Sequence, residues 1–558
     1  PYGASPVGAN INLNNTVNGG NTLTLDAGTG GDITFGGAVG QATRLGGVDL
    51  SANDVTATAA AFKALGLEIN ITGTASFTQT IDLGDDNPLT YTGYFILTSG
   101  AFNMGNNTLS LDGNWDSSSA TADFNAGTST VDLTGSGAVA KRIDPLLFTD
   151  NDPFYNLKCA AAGQTITLGS TDLATISLEV GSGTITDGVN TYDIHINAMT
   201  DGVNIFTDGG ASLEFGTLFI TPNAGGLTLT VPGRNYRTGA PGTGLGALWL
   251  EGAPNVLGDT VYNMTGDIIL NDLCVTTNND LGFTNTSTLN TGDNDITAAN
   301  LYVGLNGDVT EYGTVNAGNS DITLSGDFAV YASDAGGSNI FNAQTSTLTI
   351  GGDFTNADQF NAGTGEVIFN DANQVSHIHG TTFNDLTCTT AGKTLEFDAG
   401  ATETVNGILT LGNAAGNVVI QGAGGQWTLD LVSGDFSNVA FVSVRDSINA
   451  YGVRTSTYAD PANSSDLGNT VRWFSPSEPP PPPPPPVVNP IPDPNIDWEV
   501  EYEEAKKKRK YPKGRYKTAV IVYEGVVVVT PYDETGEHPE RAARITSGQS
   551  VTQIGEIK

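Results

Sequence analysis

Two close carboxylate pairs and one histidine pair are the residues of this chain best placed to do chemistry. The carboxylates are Asp85 and Asp86, in Gly84-Asp-Asp-Asn87, and Asp293 and Asp295, in Gly292-Asp-Asn-Asp295. Neighbouring carboxylates can divide general-acid and general-base work, as glycoside hydrolysis requires. His377 and His379 are two residues apart in a strand-like stretch and so share one face. A hydrolase site of the polygalacturonase kind needs carboxylates, a His-Gly step and a basic residue on adjacent turns. Here His379-Gly380 stands far along the chain from Asp86, and no Arg-x-Lys accompanies it. A lyase needs calcium-holding acids beside an Arg or Lys base, yet residues 1–478 contain only 11 basic residues. Each aspartate therefore reads as a turn residue, and His377/His379 as a surface pair. The expectation is no enzyme, no catalytic residue, no metal site and no cofactor, beyond weak calcium at turn aspartates.

The three cysteines, Cys159, Cys274 and Cys388, are more than a hundred residues apart, and an odd number cannot pair fully within one chain. Cys159 and Cys388 each follow a leucine by two residues, which places them on the leucine's face as small buried hydrophobes. The chain has no CxxC and no Cys/His cluster, which argues against redox or metal work. Walker-type loops, dinucleotide fingerprints, nucleophile elbows and calcium nonapeptides are also missing; Gly28–Asp32 fails the nonapeptide spacing.

Positioning falls to a repeated element. Phe-Asn-Ala-Gly-Thr occurs at Phe124–Thr128 and Phe360–Thr364, with the variant Phe-Asn-Ala-Gln-Thr at Phe341–Thr345. Each runs into an alternating strand that predicts Val131, Leu133, Leu348, Ile350, Val367 and Phe369 inside. A second phrase, Phe154-Tyr-Asn-Leu-Lys-Cys159 and Phe383-Asn-Asp-Leu-Thr-Cys388, also leads into matching strands. The nearest copies of the first phrase are 19 residues apart, a turn length that fits a right-handed parallel β-helix better than a propeller blade. Glycine (71 residues) with Asn and Asp supplies the corners, and Thr, Val, Ile and Leu supply the strands. Ala59–Leu67 carries the best helical spacing, and it is short. The fold class expected is all-β.

Residues 1–475 read as one β-solenoid array, closed by Trp473 and Phe474. A proline-rich linker follows at 476–497, with eight consecutive prolines at Pro479–Pro486 forming a stiff polyproline II spacer. Residues 498–558 form a small basic, β-rich module in which the acidic, aromatic stretch Trp498–Glu504 precedes the basic run Lys506–Lys510. The formal net charge of −38 falls almost wholly on residues 1–478, with 48 acidic against 11 basic residues. That excess disfavours nucleic acid and anionic membrane as partners. No window approaches a membrane span. A start at Pro1, directly into the repeat pattern, suggests a fragment or processed form.

Leu23-Thr-Leu-Asp-Ala-Gly-Thr-Gly-Gly-Asp-Ile-Thr-Phe-Gly-Gly-Ala-Val-Gly40 and the two phrase families resemble bacterial surface proteins of the filamentous-haemagglutinin-like β-helix type. The resemblance covers roughly residues 1–475. It implies secretion, display at a cell surface, and a role as an adhesin or as a filament or sheath subunit. The partner would be another copy of the chain, or a host or surface glycan or protein. Thr518–Val529 with Ile545–Gln549 resembles the FecR-type β-domain of envelope proteins. The competing expectation is a carbohydrate-active or glycan-binding β-helix.

Overall fold

Strands pair in parallel with their counterparts one turn away, so each alternating segment of sequence stacks on the next. In this computed structural model the described residues are 7–476 apart from 59, 86–91, 142–152, 160, 170–171, 188–191, 199–205, 209–211, 223–226, 232–245, 253–257, 278–284 and 374, together with the strand backbone of 516–523, 526–533, 546–547 and 549–550. The chain divides into two units, 1–476 and 477–558. The first is an all-β parallel solenoid. One ladder climbs through it from Phe62–Ala64 to Ser465–Asp466, and further parallel sheets flank it. Register steps range from 19 residues, Phe62 to Ile81, to 33, Thr228 to Val261. A uniform step near 20 is thus the short limit: Phe341 pairs with Phe360, and those two phrases sample the tightest turns.

The inward face is filled as the alternation predicts. Val131, Leu133, Leu348, Ile350, Val367 and Phe369 are all buried. Phenylalanines stack along the interior: Phe35, Phe62, Phe77, Phe102, Phe124 and Phe154 follow one another at centroid spacings of 5.1–6.1 Å. Phe328, Phe354 and Phe383 continue the device higher up. Such pairs add about 0.5–1.5 kcal/mol each beyond the area they bury.

The repeated phrase has a structural job for each residue. Its phenylalanine points inward. In the two later copies its asparagine joins a ladder of side-chain amides in which Asn361 donates to Asn342, Asn342 to Asn316, Asn316 to Asn290 and Asn290 to Asn263, at 2.8–2.9 Å, whereas Asn125 donates to Asp123. Its glycine sits at a corner with positive φ, 61° at Gly127 and 58° at Gly363. Gln344 occupies the same corner at φ 54°, a conformation L side chains rarely adopt. Its threonine closes the turn through the backbone, Thr364 N donating to Gln344 O.

Two local expectations change. Within the segment Ala59–Leu67 the structure places strands in the expected helix's stead: Phe62–Ala64 is one and Gly66 opens another that runs to Phe77. Its apolar spacing fits both periods, and pairing with neighbouring turns decides for the strand. Among the described residues the α-helix is instead Ala450–Thr455, N-capped by Asn449, whose Oδ1 accepts from Gly452 N at 3.0 Å. The solenoid's last turn closes on Trp473. This side chain is fully buried, donates Nε1–H to Ser447 Oγ at 2.8 Å and packs on Phe436.

The second unit contains a hairpin, Tyr516–Tyr523 against Val526–Asp533, and a short antiparallel pair, Thr546–Ser547 with Gln549–Ser550. The proline run and the basic run Lys506–Lys510 lie outside the described residues. No helix among the described residues is long and apolar enough to cross a membrane.

Candidate functional site

The residues with chemical potential stand in columns on the outer face of the main ladder, because parallel in-register stacking puts like positions above one another. One column is aromatic: His195, Phe219, Trp249, Cys274 and Tyr302 occupy successive turns. The imidazole of His195 stacks on the Phe219 ring at 4.6 Å with the planes 1° apart, and Phe219 meets Trp249 at 5.3 Å. Tyr302 stacks on Tyr331 at 5.8 Å. Each of these rings is partly exposed.

Two residues earlier on each strand, and so on the same face, runs a column of carboxylates and amides. Asp172 Oδ1 accepts from Asp193 N at 2.9 Å, and Asp193 Oδ1 from Thr217 N at 2.5 Å. After a gap at Thr217 and Ala247, Asp272 accepts from the Asn300 amide, and Asn300 Oδ1 from Asp327 N. Asp327 then accepts from Asp353 N, and Asp353 from His377 N, both at 2.8 Å. Asp172, Asp193, Asn300, Asp327 and Asp353 each staple one turn to the main chain of the next, and Asp272 to the Asn300 side chain. Burial raises the carboxyl pKa of Asp193 and Asp272, the neighbouring charge of Asp172 adding to it at Asp193.

Of the residues singled out in sequence, Asp293 and Asp295 staple turns in the same way on a flanking sheet. Asp293 Oδ1 accepts from Asn319 N and Asp295 Oδ1 from Asp321 N, each at 2.8 Å. Asp85 accepts from Thr92 Oγ1, and its own N–H donates to Asp112 Oδ2 at 2.9 Å. Asp86 lies outside the described residues. The carboxylate facing Asp85 from the next turn is therefore Asp112. His377 and His379 do share the outer face, each against an acid one turn on: His377 Nδ1 lies 3.1 Å from Glu396 and His379 Nδ1 2.7 Å from Asp398. Twelve strand pairings separate Ile81–Leu83, beside Asp85, from Val375–Ile378, so the structure does not bring these candidates together.

Cys159 and Cys388 are core residues beside Leu157 and Leu386. Burial pushes their thiols up to about 12 and about 11. Cys274 is buried as well, but on the outer face between Trp249 and Tyr302 rather than in the interior.

Three features escape a reading of the sequence. Asp172, Asp193 and His195 bring one ligand atom each to within 4.8 Å of one another. Asp193-x-His195 was visible as a same-face pair, but only the stacking identifies Asp172 as its partner. Glu403 points inward in register with the core residue Leu429 and is fully buried. Its Oε2 accepts from Thr381 N at 2.9 Å, and burial raises its pKa to about 8. Lys393 is also buried, its Nζ donating to Gly351 O at 2.7 Å, with its pKa lowered by desolvation. No protein-family profile matches the chain, and comparison with curated proteins and with solved structures finds no significant match.

Proposed function

We propose that this chain is a non-catalytic protein displayed outside a bacterial cell, a β-solenoid of the filamentous-haemagglutinin-like kind that adheres to glycan through its outer face. The observation that carries the reading is the row His195, Phe219, Trp249 and Tyr302, partly exposed, with carboxylates beside it at Asp193 and Asp272. Aromatic faces pack on the apolar faces of sugar rings, and carboxylates accept hydrogen bonds from their hydroxyls. A structural or filament-forming role is the neighbouring reading. Stacking of copies through the end closed by Trp473 would have to displace a buried indole and its hydrogen bond, which favours lateral adhesion.

A glycan array with the purified full chain, beside Trp249→Ala, tests the proposal. The expected result is retention of neutral or weakly charged glycans by the parent and loss with Trp249→Ala at unchanged circular dichroism. Electron microscopy of the same material separates the filament reading, which requires end-to-end or lateral polymers. Release of reducing or unsaturated ends from a polysaccharide panel would overturn the non-catalytic reading.

A further inference from the structure

We propose that Asp172, Asp193 and His195 form a binding site for a divalent transition-metal ion of the zinc class. The three belong to two adjacent turns. Asp193 and His195 lie two residues apart on one strand face, and Asp172 stacks beneath Asp193. Their ligand atoms lie within 4.8 Å of one another, and all three side chains are partly exposed, so an ion can reach them from solvent. Donors bound about 2.1 Å from a tetrahedral ion are roughly 3.4 Å apart, so capture requires about an ångström of side-chain movement.

The surroundings hold the donors ready. One oxygen of each aspartate is fixed by a main-chain N–H of the following turn, at Asp193 N and Thr217 N, which sets the carboxylate planes. The flat stack on Phe219 sets the imidazole plane. Asp172 and Asp187 lie close enough to Asp193 for the like charges to repel, and a cation there would relieve that repulsion. One imidazole with two carboxylates matches a borderline ion that accepts four ligands, solvent completing the shell. It does not match calcium, which takes six to eight oxygens. The site shares His195 with the row proposed to contact glycan, but metal binding does not require that reading.

The experiment is calorimetric titration of the chelator-stripped full chain with Zn2+, Mn2+ and Ca2+, followed by X-ray absorption of the Zn2+ form. One equivalent of Zn2+ bound, with imidazole scattering and far weaker Ca2+ binding, is the expected result. Asp172→Asn with Asp193→Asn keeps both Oδ1 acceptors, so the turns remain stapled while the charges are lost. Removal of outer-shell partners alone costs a metal site about 10–100-fold, so this double variant weakens Zn2+ at least that much. His195→Phe retains the stack on Phe219 and should do the same. Absence of stoichiometric Zn2+ binding overturns the proposal. So does binding that both variants leave unchanged while still folded, or Ca2+ bound as tightly as Zn2+.

Discussion

Glu403 shows how far one side chain can depart from its type. A carboxyl inside a solenoid loses hydration that a single N–H from Thr381 does not replace, and its pKa rises to about 8. Because the folded state holds the proton more tightly than the unfolded chain, this group's contribution is most favourable below pH ~4.5. It is lost as pH climbs from there to about 8. At roughly 1.4 kcal/mol per pKa unit the loss amounts to a few kcal/mol. Denaturant melts of Glu403→Gln between pH 4 and 9 should therefore be flatter than the parent's, and the variant should be the more stable at pH 9. A second residue-scale prediction concerns Gln344, the single departure from glycine among the three phrase corners. Gln344→Gly removes a left-handed conformation at a side-chain-bearing residue and should stabilise by about 1 kcal/mol, read as a raised Tm. The thiols give a third. With all three cysteines buried, a disulfide-exchange reagent should find no reactive thiol in the native chain and three after denaturation.

At the scale of the element, the stacked amides and stapling carboxylates explain why so polar a chain forms strands. Each Asn or Asp satisfies a donor or acceptor on the next turn, so polar residues strengthen the same stack that the inward apolar residues build. Asn342 is central, donating to Asn316 and accepting from Asn361. Asn342→Ala breaks both bonds and leaves two amides under-satisfied, a cost of about 1–3 kcal/mol. Urea melts should show that loss, and it should exceed the loss from Asn361→Ala, which removes one bond of the ladder. The phrase asparagine is thus a stacking residue more than a corner residue. The turn reading of Asp293 and Asp295 holds, with the addition that each also grips the turn above.

At the scale of the whole solenoid, every turn contacts chiefly its neighbours, so damage stays local. Trp473→Ala removes a buried indole from the closing turn, a change that typically costs about 3–5 kcal/mol. Hydrogen exchange should show Val442–Val444 and Ser465–Asp466 losing protection, while Phe62–Ala64 and Thr130–Leu133 keep theirs. Uniform loss of protection along the ladder would mean a single cooperative unit and would contradict the stacked-turn account. The net −38 acts at this scale too, favouring encounters with cations over anions.

Alternation by itself determined the all-β class, the inward set from Val131 to Phe369, the core placement of Cys159 and Cys388, and the shared face of His377 and His379. These are period-two properties, carried within a strand and independent of what lies above it. Tertiary structure alone decided which residues stack across turns, because steps of 19 to 33 residues make the register depend on every corner's length. Asp112 facing Asp85, Asp172 joining Asp193 and His195, and the row from His195 to Tyr302 all follow from that register. The inward Glu403 and the helix at Ala450–Thr455 belong with them: burial overrides what Glu403 prefers, and Arg454 ties the helix to Asp430 of the preceding turn.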